Sequence, residues 1–246
     1  MRSILYRIYR KARILFEREI NRRRDLESVF TSIYENNRWG GERGGFYSGS
    51  GSTAYYANAY AEMVRGFIRE QGVSTVVDLG CGDFAVGSLI VSNDIDYVGV
   101  DIVADLINRN RERFNSQHIT FQHLDIVSSP LPGGELCLIR QVLQHLSNAE
   151  IAAVLRKIDK YKYVIISEHL PAPSVHVVPN KDKPHGPDVR VYDASGVYID
   201  KPPFNVPVSR LLLEVQCVGF LVSKGETIRS QLVENHEAHI ETADRS

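Results

Sequence analysis

The sequence predicts an α/β fold in which helices cover both faces of a mostly parallel sheet. Three observations carry this. Short apolar segments recur at 74–79, 96–101, 118–122, 135–140 and 161–167, each of strand length and suited to burial on both faces. Helix-length patterns fit between and after them at 85–92, 103–115 and 147–159. The first strand runs directly into a glycine turn, Val76-Val77-Asp78-Leu79-Gly80-Cys81-Gly82-Asp83-Phe84, and the second ends at Asp101. An acidic strand end, a tight glycine turn and a second acid about twenty residues on form a nucleotide-binding signature.

A chain of 246 residues has room for one such domain with modest additions. Its 43% hydrophobic and 24% charged content is that of an ordinary globular protein. No apolar run reaches the ~20 residues that span a bilayer. Charges recur through the first 24 residues, so no signal peptide is expected. Cys81, Cys137 and Cys217 are far apart and odd in number, which predicts neither a disulfide framework nor a zinc knot, and no metal site. A reducing cytoplasm is the expected compartment. His236 and His239, in His-Glu-Ala-His, fall one residue short of the zinc-protease spacing and read as part of a solvated tail, 236–246.

Residues 1–27 read as one amphipathic helix. Ile4, Ile8, Ala12, Phe16 and Ile20 recur every four residues, with Leu5, Tyr9 and Leu15 beside them and arginines over much of the remainder. Nine Arg and Lys against two Glu give residues 1–24 a charge of +7, and the chain's net −1 leaves −8 elsewhere. Such an arm could lie on an anionic membrane, where each basic residue can contribute ~1 kcal/mol. It could equally pack on the body or on a second subunit of a homo-oligomer. An acidic body makes a general nucleic-acid surface unexpected.

Residues 28–72 form a cap segment. Trp39, two Gly-Gly pairs and Tyr47, followed by Ser-Gly-Ser-Gly-Ser, offer flat apolar faces and close backbone approach, as a lid over a ligand would, before a helix at about 54–71. The domain proper spans 73–235. It is interrupted at 170–207 by an insert holding eight of the ten prolines, which excludes regular structure there and suits a lid or binding loop. After the insert, 207–216 fits a helix, and 217–223 and 227–234 fit two strands joined around Lys224-Gly225.

Asp78 bears on which nucleotide is bound. A carboxylate at the tip of the first strand would repel a pyrophosphate and suits a ligand bearing an ammonium there, which favours S-adenosylmethionine over a dinucleotide. Asp101 stands where both ribose hydroxyls could donate to it, and each hydrogen bond to a carboxylate contributes ~1.5–3 kcal/mol. Asp125 ends the next strand region, placed to take an adenine amino group with Ile126 against the ring.

With these residues the chain resembles the class I S-adenosylmethionine-dependent methyltransferases. Asp78-x-Gly80-x-Gly82 matches their first motif, Asp101 the ribose acid and Asp125 the adenine contact. Arg140-Gln141-Val-Leu-Gln-His145-Leu matches the segment bordering the methyl group. The resemblance covers about 73–169, and 207–235 more loosely. It implies a Rossmann-like, mostly parallel seven-stranded sheet whose last strand is antiparallel. It also implies S-adenosylmethionine as cofactor, with Asp78, Gly80, Cys81, Gly82, Asp101, Ile102, Asp125, Ile126 and Gln141 around it. Phe84 stands where many members carry a third glycine.

The acceptor side is read from fewer residues. His145 and His169 both follow strands and could act as general bases, with pKa values near ~6.5 when unperturbed. Trp39, Tyr47, Glu168, Asp188, Arg190 and Tyr192 could grip a sugar or an anionic group, Arg190 suggesting a carboxylate or phosphate. The lead-in through Trp39 and the Ser-Gly repeat is similar to that of small bacterial methyltransferases of surface-glycan pathways. That implies O-methylation of a sugar or sugar-linked acid at the inner face of the cytoplasmic membrane. Small-molecule or lipid methylation and a non-catalytic, membrane-recruited adaptor are the alternatives.

Overall fold

The computed structural model describes residues 2–42, 45–173, 176–218 and 224–235, and the side chains of these from residue 11 onward. Seven strands form one sheet: β1 (Thr75–Leu79), β2 (Asp96–Asp101), β3 (Ile119–His123), β4 (Leu136–Arg140), β5 (Tyr163–Leu170), β6 (Arg210–Gln216) and β7 (Thr227–Glu234). Their order is β3-β2-β1-β4-β5-β7-β6, and β7 alone runs antiparallel to its neighbours. This is the Rossmann-like sheet that the apolar runs predict.

Alternation along the strands divides the core in two. Val76, Leu138 and Ile165 face one side and meet Tyr60, Val64, Phe67 and Ile68 of α3 (Ala54–Gln71). Val77, Ile139 and Ile166 face the other and meet Ile151, Val154 and Leu155 of α5 (Asn148–Leu155). Burial of each aliphatic side chain stabilises the fold by about 1.5–3 kcal/mol. Between β2 and β3, α4 (Ala104–Phe114) inserts Leu106 and Ile107. The helix α5 starts in a capping box: Ser147 accepts from the Glu150 N–H, and Glu150 accepts from the Ser147 N–H.

Four expectations change. The arm is two helices, α1 (Arg2–Asn21) and α2 (Leu26–Glu35), because Asp25 caps the second by accepting from the Ser28 N–H at 2.8 Å. Residues 85–92 give only a 3-10 turn, Gly87–Leu89; a Cβ at Gly87 would lie 2.5 Å from the Tyr97 hydroxyl, so this segment hugs the sheet too closely for a helix. Residues 207–216, expected as a helix, form β6, because pairing with β7 satisfies the backbone of Arg210–Gln216 and overrides the local helical pattern. Of the strand expected at 217–223, Cys217 and Val218 lie beyond the end of β6, and 219–223 lie outside the described residues, as do His236, His239 and the rest of the tail.

Candidate active site

At the carboxyl ends of β1, β2 and β4 lies a cavity of about 370 Å³, where open α/β sheets bind ligands. The glycine turn forms one wall. Gly80 and Gly82 have φ of 81° and 57°, and a Cβ at either would lie 2.4 Å from a neighbour, Val142 Cγ2 or Ser48 Oγ. The turn is fastened by N–H bonds from Gly80 and Cys81 to the Val100 carbonyl and from Gly82 to Asp101 Oδ2. Asn110, fully buried on α4, donates to the Gly82 carbonyl at 2.8 Å. Cys81 lines the cavity, but burial raises its thiol pKa far above the usual range, which removes it as a nucleophile.

All three acids line the cavity. Asp78 accepts from the Tyr97 hydroxyl at 2.7 Å. Burial pushes its carboxyl up to about 6, against that bond and the Arg140 charge. Asp101 accepts from Gly82 and Val103 N–H groups, each at 3.1 Å, and burial also pushes it up to about 6. Asp125 folds back on its own turn, accepting from the Val127 N–H and the Ser128 hydroxyl. Beside these acids the wall is apolar, with Ile102, Leu124, Ile126 and Val127.

The cap closes the other side. Leu26, Phe30 and Tyr34 of α2 line the cavity; Tyr34 belongs to the aromatics expected in a lid, whereas Leu26 and Phe30 give no signal in the sequence, because a helix face gives no sign of what it covers. Ser48 ties the cap to the glycine turn: its Oγ accepts from the Asp83 N–H at 2.9 Å and lies 3.2 Å from the Tyr34 hydroxyl. Trp39 stands edge-on to Tyr34, packs against the His145 ring with centroids 5.1 Å apart, and donates Nε1–H to the Pro187 carbonyl at 3.2 Å. Tyr47 packs against Gly41 and does not line the cavity, so the expected Trp39–Tyr47 pocket is not formed.

His145 is buried at the wall. The Gly186 carbonyl lies 3.1 Å from Nδ1 and can only accept, so Nδ1 carries the proton and Nε2 the lone pair. Burial, helped by the Lys183 charge, lowers this imidazole to about 3. His169 also lines the cavity, with Nε2 3.0 Å from Glu226 Oε2, and burial holds it below the ordinary histidine range. Tyr192 completes this side.

Glu168, Asp188 and Arg190 do not line the cavity, and the protein engages their polar atoms apart from Arg190 Nε, which is buried without a partner among the described residues. Glu168 accepts from the Leu143 and Gln144 N–H groups and shapes the turn after β4; burial pushes it up to about 8. Arg190 is 1% exposed and donates to the Lys181 and Leu146 carbonyls, both at 2.6 Å. Asp188 pairs with Arg18 of α1 and with Lys183. Charge in a proline-rich loop looked like a ligand grip from sequence; the folded chain uses it to hold the loop down.

Three further groups face the cavity. Arg140 donates to the Gly51 carbonyl at 2.6 Å and lies over the Tyr60 ring. Its Nε, Gln141 Nε2 and Gln144 Oε1 are buried with no hydrogen-bond partner among the described residues. The three residues line the cavity, but these particular atoms are covered by their neighbours. Gln141 sits at φ 56° and packs so closely on Gly51 that a Cβ there would lie 2.4 Å from its Oε1. Among the described residues no group of three or more His, Cys, Asp and Glu is placed to hold a metal ion.

Residues 76–161 match the model of a family described as a methyltransferase domain. Over that stretch the chain is similar to methyltransferase domains. No curated protein matches it in sequence. Solved structures share the fold at low identity. The N-methyltransferase NodS from Bradyrhizobium japonicum WM9, in complex with S-adenosylhomocysteine, superposes with TM-score 0.50 and 13% identity, over 73% of this chain and 88% of that one. Human N-acetylserotonin methyltransferase, in complex with S-adenosylmethionine, gives TM-score 0.51 and 15% identity, over 86% of this chain and 60% of that one. The cavity fits the cofactor of such domains, S-adenosylmethionine. It offers an apolar slot, an acid at the end of β2 and a glycine backbone open to close approach, with Arg140 and Gln141 on the same wall.

Proposed function

We propose that the protein uses S-adenosylmethionine to methylate a hydroxyl group of a sugar, with His145 as the base. The observation that carries this is the place of His145 on the cavity wall beside Trp39, with Nδ1 held by the Gly186 carbonyl and Nε2 left as the basic nitrogen, 3.4 Å from Gln144 Nε2. Trp39 and Tyr192 on the same cavity give a sugar ring flat apolar faces.

When bound, the cofactor supplies a methyl group already activated on a sulfonium. Holding the acceptor in line can remove about 7–11 kcal/mol of the barrier. Under this reading Asp101 accepts from the ribose hydroxyls, Asp125 and Ile126 border the adenine, and Asp78, Arg140 and Gln141 border the amino-acid end. Trp39 and the closed cap exclude water, and Nε2 of His145 takes the hydroxyl proton as the oxygen–methyl bond forms. Its low pKa, about 3, keeps the imidazole neutral and at the same time limits its strength as a base.

Because Arg190 is spent within the protein, a neutral sugar hydroxyl is favoured over a sugar-linked acid. The Trp39 and Ser-Gly lead-in and the basic arm support a bacterial surface-glycan pathway. The test is methyl transfer from labelled S-adenosylmethionine to sugars, nucleotide sugars, lipids and amines. Labelled sugar with the wild type, and none with His145→Ala, is expected. Transfer only to amines or lipids would contradict the sugar reading.

A further inference from the structure

The helix α1 is docked by its charged side. Arg18 bonds Asp188 and, at 2.5 Å, Asp193; Glu17 accepts from Arg38; Asn21 is buried beside Gly186. At 100° per residue these positions share one face. The opposite face holds the apolar stripe, and it is bare: Leu15 is 54% exposed, Phe16 68% and Ile20 43%. Single exposed apolar residues are ordinary, but three on one side of a helix, with Glu19 among them paired to Arg22 and Arg23, make a patch.

Cations border that patch. Arg13, Arg22 and Arg23 are more than half exposed, engaged only by surface pairs with Glu17 or Glu19 that water weakens. Arg18 is already neutralised inside, so docking on the body and the outward patch do not compete for it. We propose that the outer face of α1 lies on an anionic lipid bilayer, with Leu15, Phe16 and Ile20 inserted among the acyl chains and the bordering arginines at the headgroups. A second copy placed on the same stripe would bring two arms of charge +7 together, whereas an anionic surface complements that charge.

The docked face also links this surface to the cavity. Asp188, which holds Arg18, follows Pro187 and Gly186, the residues bonded to Trp39 and His145. The bilayer contact is therefore compatible with the closed site.

The test is co-sedimentation of the full chain with vesicles of equal parts phosphatidylglycerol and phosphatidylcholine, and with phosphatidylcholine alone. Binding to the anionic vesicles only, falling steeply with added salt, is expected. The double variant Leu15→Ser, Phe16→Ser should lower the affinity at least roughly tenfold. It should keep the wild-type melting temperature, because both side chains are exposed. Absence of vesicle binding, equal binding to both vesicles, or an unchanged affinity in the double variant would overturn the proposal. So would concentration-dependent self-association that the double variant abolishes, which would assign the stripe to a second copy.

Discussion

His145 and Gly186 are joined twice: the Gly186 N–H donates to the His145 carbonyl at 2.9 Å, and Nδ1 of His145 donates to the Gly186 carbonyl at 3.1 Å. The insert thereby fixes the tautomer of the proposed base from a distance of 41 residues in sequence. Removing the ring should leave the cofactor site untouched. His145→Ala is expected to slow transfer to a hydroxyl by about 10²–10⁴-fold with cofactor affinity unchanged, measured by single-turnover kinetics and calorimetry. Unchanged turnover would make the histidine a packing partner of Trp39.

The pH dependence should come from the acids. Burial holds His145 at about 3, so it stays neutral through the working range. Asp101 and Asp78, pushed up to about 6, gain a proton as pH falls through that value and lose accepting capacity. Cofactor binding is therefore expected to be tight above pH 6 and to weaken below it, by roughly tenfold for each pH unit that one carboxyl controls. Calorimetry across that range checks this, and Asp101→Asn should flatten the curve. A dependence centred on the ordinary histidine range and removed by His145→Ala would contradict it.

Arg190 gives a contrast between grip and scaffold. Arg190→Met should lower unfolding stability by about 2–4 kcal/mol, because two buried carbonyls lose their donor. The acceptor KM of the folded fraction should stay the same. Denaturant titration and steady-state kinetics separate the two effects; a raised KM at unchanged stability would return Arg190 to the acceptor.

The cap and the glycine turn form one contact. Gly82→Ala should weaken cofactor binding at least roughly tenfold, since the new Cβ meets Ser48 Oγ at 2.4 Å and sits at φ 57°. Adding Ser48→Gly should recover part of the loss, a coupling that a double-mutant cycle reads directly. No recovery would mean that backbone strain alone accounts for the effect.

The sheet was legible because parallel strands buried on both faces leave continuous apolar runs, and β1 to β5 carry them. The strand β6 was not: Arg210–Gln216 has exposed and half-buried positions only, and its strand state comes from pairing with β7. The place of Asp78, Asp101, Asp125, the glycines and His145 on the cavity wall was legible, since each sits at a strand end or turn that the strand pattern sets. Glu168, Asp188 and Arg190 were misread for a common reason. Charge in a loop marks a strong interaction, and only the fold reveals whether its partner is a ligand or the chain itself. Phe30 gave no signal, and Ser48 and Gln144 stood within marked segments without being singled out, because their contacts are made across the cavity.

The central claim is that the cavity between Asp101 and the cap binds the methyl donor. Calorimetric titration with S-adenosylhomocysteine tests it most directly. The wild type should bind with micromolar affinity, and Asp101→Ala should lose that affinity while keeping its melting temperature within a few degrees. No heat of binding to the folded wild type, or equal affinity in Asp101→Ala, would contradict it.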